Sequence, residues 1–271
     1  MHIITIGNLK GGVGKTTTTV NLADGLGRNG NRVLVIDADP QGNCSSILLT
    51  DIHEREERSL VRALEAPAGE GNLTSMICRS SNDRVDLVPN NFECILWERH
   101  VVNTSDATFG FHRLLKNDRD LEKYDYILID TPPNIGAMLT NALIISDYSI
   151  VPVPVPDQFA LDSLAIFLRV MQNTRNQNQR LRLLGILLTK HDDRVPLYVS
   201  NREKILQFFA AKGANVFRTS VRLDVAIDKA HMKHQTIFEL DPDSIGALDH
   251  ESLAREIVEI LHNEQSRRKR N

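Results

Sequence analysis

Ten residues near the start of the chain, Asn8-Leu9-Lys10-Gly11-Gly12-Val13-Gly14-Lys15-Thr16-Thr17, follow the apolar run Ile3-Ile4-Thr5-Ile6 and precede a helical pattern. A strand, a glycine-rich turn and a helix, in that order, are the setting of a phosphate-binding loop. Glycine lacks a Cβ, so its backbone can approach an anion closely and adopt positive φ. The N–H groups opening the next helix then point at the anion, and the helix dipole favours negative charge there. In such a loop Lys15 lies along the β- and γ-phosphates and Thr16 offers its hydroxyl to Mg²⁺. Gly11, Gly12, Val13, Gly14 and Thr17 supply the rest of the cradle.

A loop of this kind demands parallel strands that end at one edge, and the remaining sequence supplies them. Apolar, β-branched or leucine-rich runs over 3–6, 32–36, 85–88, 126–129, 148–155 and 181–188 read as strands covered on both faces. Helical spacing of apolar residues fills the intervals at 16–28, 161–171, 201–212 and 252–262. The alternation predicts an α/β fold with a doubly wound, mostly parallel sheet and helices on both faces. The polar stretch 51–82 is expected to hold one short helix, over 59–65, between loops, and 103–111 to be irregular.

With 271 residues and no clean linker, a single domain over 1–262 is expected, followed by a basic, disordered tail over 263–271. The net charge of −3 excludes a chain that is basic throughout, so any nucleic-acid contact has to come from a local patch. Cys44, Cys78 and Cys94 have neither disulfide nor zinc spacing and read as small apolar residues of a reducing compartment. No run approaches the length of a membrane span, and the first strand leaves no room for a leader, so the expectation is a cytoplasmic protein.

Two further strands end in acid. The second is followed by Asp37-Ala38-Asp39-Pro40-Gln41-Gly42-Asn43, and the run Tyr126-Ile127-Leu128-Ile129 by Asp130-Thr131-Pro132-Pro133. Carboxylates at strand ends beside a phosphate loop can hold a magnesium-bound water or position an attacking one.

Leu9 stands where the common phosphate loop has glycine, and Lys10 adds a second lysine. Lys-Gly-Gly-x-Gly-Lys-Thr, together with the segments at 37–43 and 130–136, resembles the ParA/MinD family of dimerising ATPases with a deviant Walker A loop. The resemblance covers nearly the whole chain. It implies ATP and Mg²⁺ as cofactors, with the metal at Thr16, Asp37 and Asp130, and Asp39 acting on the hydrolytic water. It also implies an ATP-dependent homodimer in which Lys10 reaches the nucleotide of the other subunit, joining Lys15 and Asp39 in catalysis. Asn141 falls where the family keeps an asparagine near the nucleotide, and 153–161 resembles the segment approaching the ribose and the dimer interface.

Within the family, the Pro-Gln-Gly-Asn run and a tail lacking bulky apolar residues resemble the ParA (Soj-like) partition ATPases. That branch implies sequence-independent DNA binding, nucleoid association, and a ParB-like or cargo-adaptor protein that stimulates slow hydrolysis, with no membrane partner. Arg194, Arg218 and Arg222 fall in segments that resemble the family's DNA-contacting runs, although Phe217 stands where the family usually has proline. A MinD-like membrane regulator and a nucleotide switch that binds only protein remain as alternatives.

Overall fold

A computed structural model of the chain describes every residue except 50, 68–69, 117, 158–159, 212 and 269–271. The described residues build one eight-stranded sheet in the order β3-β4-β2-β5-β1-β6-β7-β8. The strands are β1 (His2–Ile6), β2 (Val33–Asp37), β3 (Cys78–Arg79), β4 (Val85–Val88), β5 (Tyr126–Asp130), β6 (Tyr148–Pro154), β7 (Arg182–His191) and β8 (Val221–Arg222). Every neighbouring pair is parallel except β3 with β4. All residues of β2, β5 and β6 are buried, which is why these strands are continuous apolar runs without alternation.

Both faces are covered. On one, α1 (Lys15–Arg28), α11 (Ile237–Leu240) and α12 (Ile245–Arg268) enclose a core that includes Val20, Leu26, Leu128, Leu253 and Ile257. On the other, α4 (Leu60–Glu65), α5 (Glu93–Val101), α6 (Asp106–Lys116) and α7 (Ala137–Ile145) enclose Leu60, Trp97, Phe111, Ile127 and Met138. Beside them, α8 (Ala160–Thr174) and α9 (Pro196–Ala211) pack on β6 and β7 through residues such as Phe167, Ile205 and Phe209. Short helices α2 (Asn43–Leu48), α3 (Glu54–Glu57) and α10 (Val225–Met232) complete the set. The three cysteines are buried and free.

The structure is more regular than the sequence pattern predicts in three places. The stretch expected to be irregular at 103–111 lies largely in α6, whose Gly110 weakens the helical pattern. A Cβ at Gly110 would come within 3.0 Å of Leu64 and 3.3 Å of Asn141, so close packing requires the glycine. The segment 51–82 holds α3, α4, a 3₁₀ turn at Thr74–Met76 and β3, and Leu60, Val61, Ala63 and Leu64 are core residues. The helix predicted over 252–262 runs Ile245–Arg268, through the first part of the expected tail. Its last turns are tied to the sheet, where the Tyr148 hydroxyl donates to Glu264 Oε2 at 2.7 Å. Residues 269–271 of that tail lie outside the described residues.

Candidate nucleotide-binding site

Strand register brings the sequence motifs together. Asp130 of β5 pairs with Ile6 of β1 on one side and Asp37 of β2 on the other. The loop after β1 and both acidic strand ends therefore meet at the carboxyl edge of the central strands, where open α/β sheets bind ligands.

The loop is held from several directions. Gly12 and Gly14 adopt φ of 70° and 96°, in the left-handed region that favours glycine. Asn8 Oδ1 accepts the Lys10 N–H at 3.1 Å, while its amide donates to the Pro152 carbonyl at 2.8 Å. The Thr189 hydroxyl of β7 donates to the Val13 carbonyl at 2.9 Å. The Lys15 ammonium donates to the Lys10 carbonyl at 3.1 Å, closing the loop on itself. At the start of α1 the N-cap is Gly14, with no capping side chain and no acid in the first turn. Its opening N–H groups thus face the loop without a side-chain acceptor, as an anion site requires.

Three carboxylates stand behind this cradle. Thr16 donates to Asp130 Oδ2 at 2.6 Å and Thr19 to Asp130 Oδ1 at 3.2 Å. Burial pushes the Asp130 carboxyl well above its ordinary value; the charge of Asp39 adds to this, while Thr16, Lys15 and Thr19 oppose it. Burial also raises Asp37, with the Asp130 charge next in weight and the Ser45 hydrogen bonds opposing. Lys15 is lowered by burial against the pull of Asp130 and Asp39. Asp39 accepts the Gln41 N–H at 2.9 Å and donates its own N–H to Asp37 Oδ1 at 3.1 Å.

A hydroxyl and neighbouring carboxylates are hard oxygen donors of the type Mg²⁺ takes. Among the described residues no group of three His, Cys, Asp or Glu could hold a metal by itself. The residues therefore fit a cation that completes its shell with phosphate oxygens and water, as Mg²⁺ does in phosphate-loop sites. Thr16 and Asp130 are in direct hydrogen-bond contact at the start of α1. Asp37 stands further back, since its oxygens accept the Ser45 N–H at 2.8 Å, the Ser45 hydroxyl at 2.6 Å and the Asp39 N–H. It anchors the turn that presents Asp39.

The two lysines are held differently. Lys15 is buried within the loop, whereas Lys10 is a third exposed and forms an ion pair with Asp157, just after β6. Asp157 lies in the 153–161 segment singled out above, of which 158–159 fall outside the described residues. Asn141 does not face the phosphate loop. Its side chain accepts the Phe111 N–H at 2.8 Å and donates to the Asp106, Ala107 and Ala137 carbonyls, joining α6 to α7. The sequence pattern does not single out Thr19, Thr189 or the roles of Asn8 and Asp157. Thr19 was findable, because it sits one helical turn from Thr16. Thr189 needed the β7 register.

Arg194, Arg218 and Arg222 are each engaged by acids outside the phosphate loop, and none has an isolated charge. Arg194 pairs with Asp192 at 2.8 Å, and Arg218 with Glu259 at 2.6 Å and Glu256 at 3.5 Å. Arg222 makes a two-pronged contact with Asp249, at 2.6 Å from Nη2 and 3.0 Å from Nε. Three of these four acids, Asp249, Glu256 and Glu259, project from α12.

A family model described as "AAA domain" matches residues 1–183. The chain is 33% identical to the sporulation initiation inhibitor protein Soj of Bacillus subtilis, over 94% of this chain and 98% of that one. It is 34% identical to the chromosome-partitioning ATPase Soj of Thermus thermophilus, over 94% of each chain. A solved structure from Borrelia burgdorferi, described as a plasmid partition protein bound to AMPPNP, superposes with a TM-score of 0.74 at 25% identity. That match covers 97% of this chain and 99% of that one. Cobyrinic acid a,c-diamide synthase of Mycobacterium smegmatis, solved with ADP and magnesium, shares the fold with a TM-score of 0.77 at 24% identity. It covers 94% and 93% of the two chains. With the doubled-lysine loop and both acidic strand ends in place, the chain belongs to the ParA/MinD family of deviant Walker A ATPases, on its ParA (Soj-like) side.

Proposed function

We propose that this protein is an ATP hydrolase that dimerises in its ATP state, binds DNA without sequence preference in that state, and so positions a cargo such as a plasmid, chromosome or protein complex. The observation that carries the reading is the pair of lysines at the two ends of one glycine loop, Lys15 buried beside the charges of Asp130 and Asp39 and Lys10 paired with Asp157. Lys15, Thr16 and the N–H groups opening α1 bind the phosphates, and Thr16 with Asp130 holds Mg²⁺. The metal, when bound, offsets charge on the β- and γ-phosphates. Asp39, fixed by Gln41 and Asp37, orients the attacking water.

Dimer closure exchanges Asp157 for the other subunit's phosphates at Lys10. That exchange couples assembly to nucleotide state, because only a bound triphosphate offers Lys10 a better counter-charge than the carboxylate it leaves. DNA contact by Arg194, Arg218 and Arg222 likewise exchanges a carboxylate for a phosphate, and a dimer doubles the number of such exchanges. A ParB-like or cargo-adaptor protein stimulates hydrolysis and resets the cycle on the nucleoid. No described helix is long and apolar enough to cross a bilayer.

The test is binding to nonspecific duplex DNA with ATP, with ADP and without nucleotide, alongside the oligomeric state under each condition. Binding confined to ATP and weakened by salt supports the reading. A protein that dimerises with ATP and ignores DNA overturns the DNA part and leaves a protein-only nucleotide switch.

A further inference from the structure

At the opposite edge of the sheet from the nucleotide site lies a cavity of about 660 Å³. It opens at the amino-terminal ends of β2, β4 and β5 beside the edge strand β3. Arg32, Arg79, Arg84 and Lys123 line it, with Asp83 and Asp86 as its acids. Among the described residues none of these four cations forms an ion pair with a carboxylate, in contrast to Arg194, Arg218 and Arg222. Asp86 is engaged elsewhere, accepting the Tyr124 hydroxyl at 2.5 Å.

The frame that carries the cations is fixed. The Arg32 N–H donates to Asp125 Oδ2 at 2.8 Å, and the Asp125 N–H returns a bond to the Arg32 carbonyl at 2.8 Å. Asn82 accepts the Arg84 N–H at 3.0 Å while its amide donates to Asp24 of α1 at 2.7 Å, so the turn before β4 is anchored to the body of the domain. Arg84 is further held by the Gly30 carbonyl at 3.1 Å. Arg79 comes from β3, and Lys123 ends the 3₁₀ turn Arg119–Lys123, its ammonium 5.0 Å from the Tyr124 ring centroid.

We propose that this cavity binds a phosphate-bearing ligand. A lone carboxylate offers one charge, whereas cations on several walls of one cavity match consecutive phosphates. Guanidinium forks suit phosphate oxygens, and an anchored frame lowers the ordering cost of binding. The phosphates come either from a nucleic-acid backbone, in which case the inference rests on the DNA-binding reading above and moves much of the contact to this edge, or from a free polyphosphate.

The experiment compares wild type with the double variant Arg79→Glu/Lys123→Glu and the conservative Arg79→Lys/Lys123→Arg. One arm measures affinity for labelled duplex DNA with ATP over a salt series. The other titrates inorganic triphosphate into protein saturated with ADP and Mg²⁺, which keeps the phosphate loop filled. The expected result is at least a tenfold loss for the charge-reversed protein, with the salt slope reduced by about 0.9 per lost contact. Basal ATPase and melting temperature stay unchanged, and the conservative variant retains binding. Loss in the DNA arm identifies a nucleic-acid source, and loss in the triphosphate arm alone a free polyphosphate. Unchanged binding by the reversed variant in both arms overturns the inference and leaves the DNA reading standing if wild type binds DNA. A wild type that binds no DNA overturns that reading, and the triphosphate arm then decides the cavity by itself.

Discussion

The phosphate loop and the arginine surface both concentrate charge, and they handle it in opposite ways. In the loop, Lys15 and Asp130 are buried, and each is pushed away from its charged form by burial. Their charges converge on one small volume with an uncapped helix end beside it. Arg194, Arg218 and Arg222 are at least 40% exposed, and each is matched at once by its own acid. Exposed pairs of this kind contribute little to stability. The lesson is that convergence makes a binding site, whereas charge that is satisfied locally has to be released before it can bind anything.

Removing the convergent groups should have the largest effect. Lys15→Ala and Asp39→Asn are each expected to lower the ATP turnover rate by ~10²-fold or more, measured as phosphate release with Mg²⁺. An Asp39→Asn protein that retained wild-type turnover would remove Asp39 from the chemistry. Acid should act on the α12 side. His250 is fully buried, its Nδ1–H donates to the Gly246 carbonyl at 2.7 Å, and burial lowers its pKa from 6.5 to about 4. A lowered folded-state pKa means that the unfolded chain binds the extra proton first. The stabilising contribution is therefore complete above about pH 6.5 and is lost as pH falls toward 4, at up to about 1.4 kcal/mol per unit. Denaturant midpoints across that range should show the slope, and His250→Asn should flatten it.

Gly185→Ala disturbs the packing beside Arg218 alone. A Cβ there would come within 2.7 Å of the Phe217 ring, which precedes Arg218. A loss of about 1–3 kcal/mol is expected from overpacking, with per-molecule ATPase of the folded protein retained. The smallest effect is expected for Asp249→Asn, which loosens Arg222. Stability should fall by about 1 kcal/mol, limited by solvent at the guanidinium. If Arg222 meets DNA, affinity at fixed salt should rise in this variant, because no carboxylate has to be given up first; unchanged affinity would remove Arg222 from the DNA contact.

Much of this site was legible because its parts are backbone devices with fixed spacing. Gly12, Gly14, Lys15, Thr16 and Asp130 announce themselves through a turn that only glycine permits and a strand that must end in acid. What stayed hidden depended on partners distant in sequence. Nothing near Arg222 shows that Asp249 will hold it, because that pairing is created by α12 packing beside β8. Nothing near Asn141 shows that it joins two helices, because α6 was itself masked by Gly110. Asp37 illustrates the middle case. Its strand-end position was readable, whereas its use as the anchor for Ser45 and Asp39 is set by the turn that follows.

The strand order has a temporal consequence. β1 carries the phosphate loop and is made first, yet its neighbours are β5 and β6, which begin at Tyr126 and Tyr148. At ribosomal speeds of ~5–20 residues per second, the loop waits on the order of ten seconds for the strands that fix it. During that interval nucleotide has no assembled site to stabilise. A truncated or stalled chain ending before Tyr126 therefore gains nothing from ATP, and nucleotide rescues only chains whose central sheet is already complete.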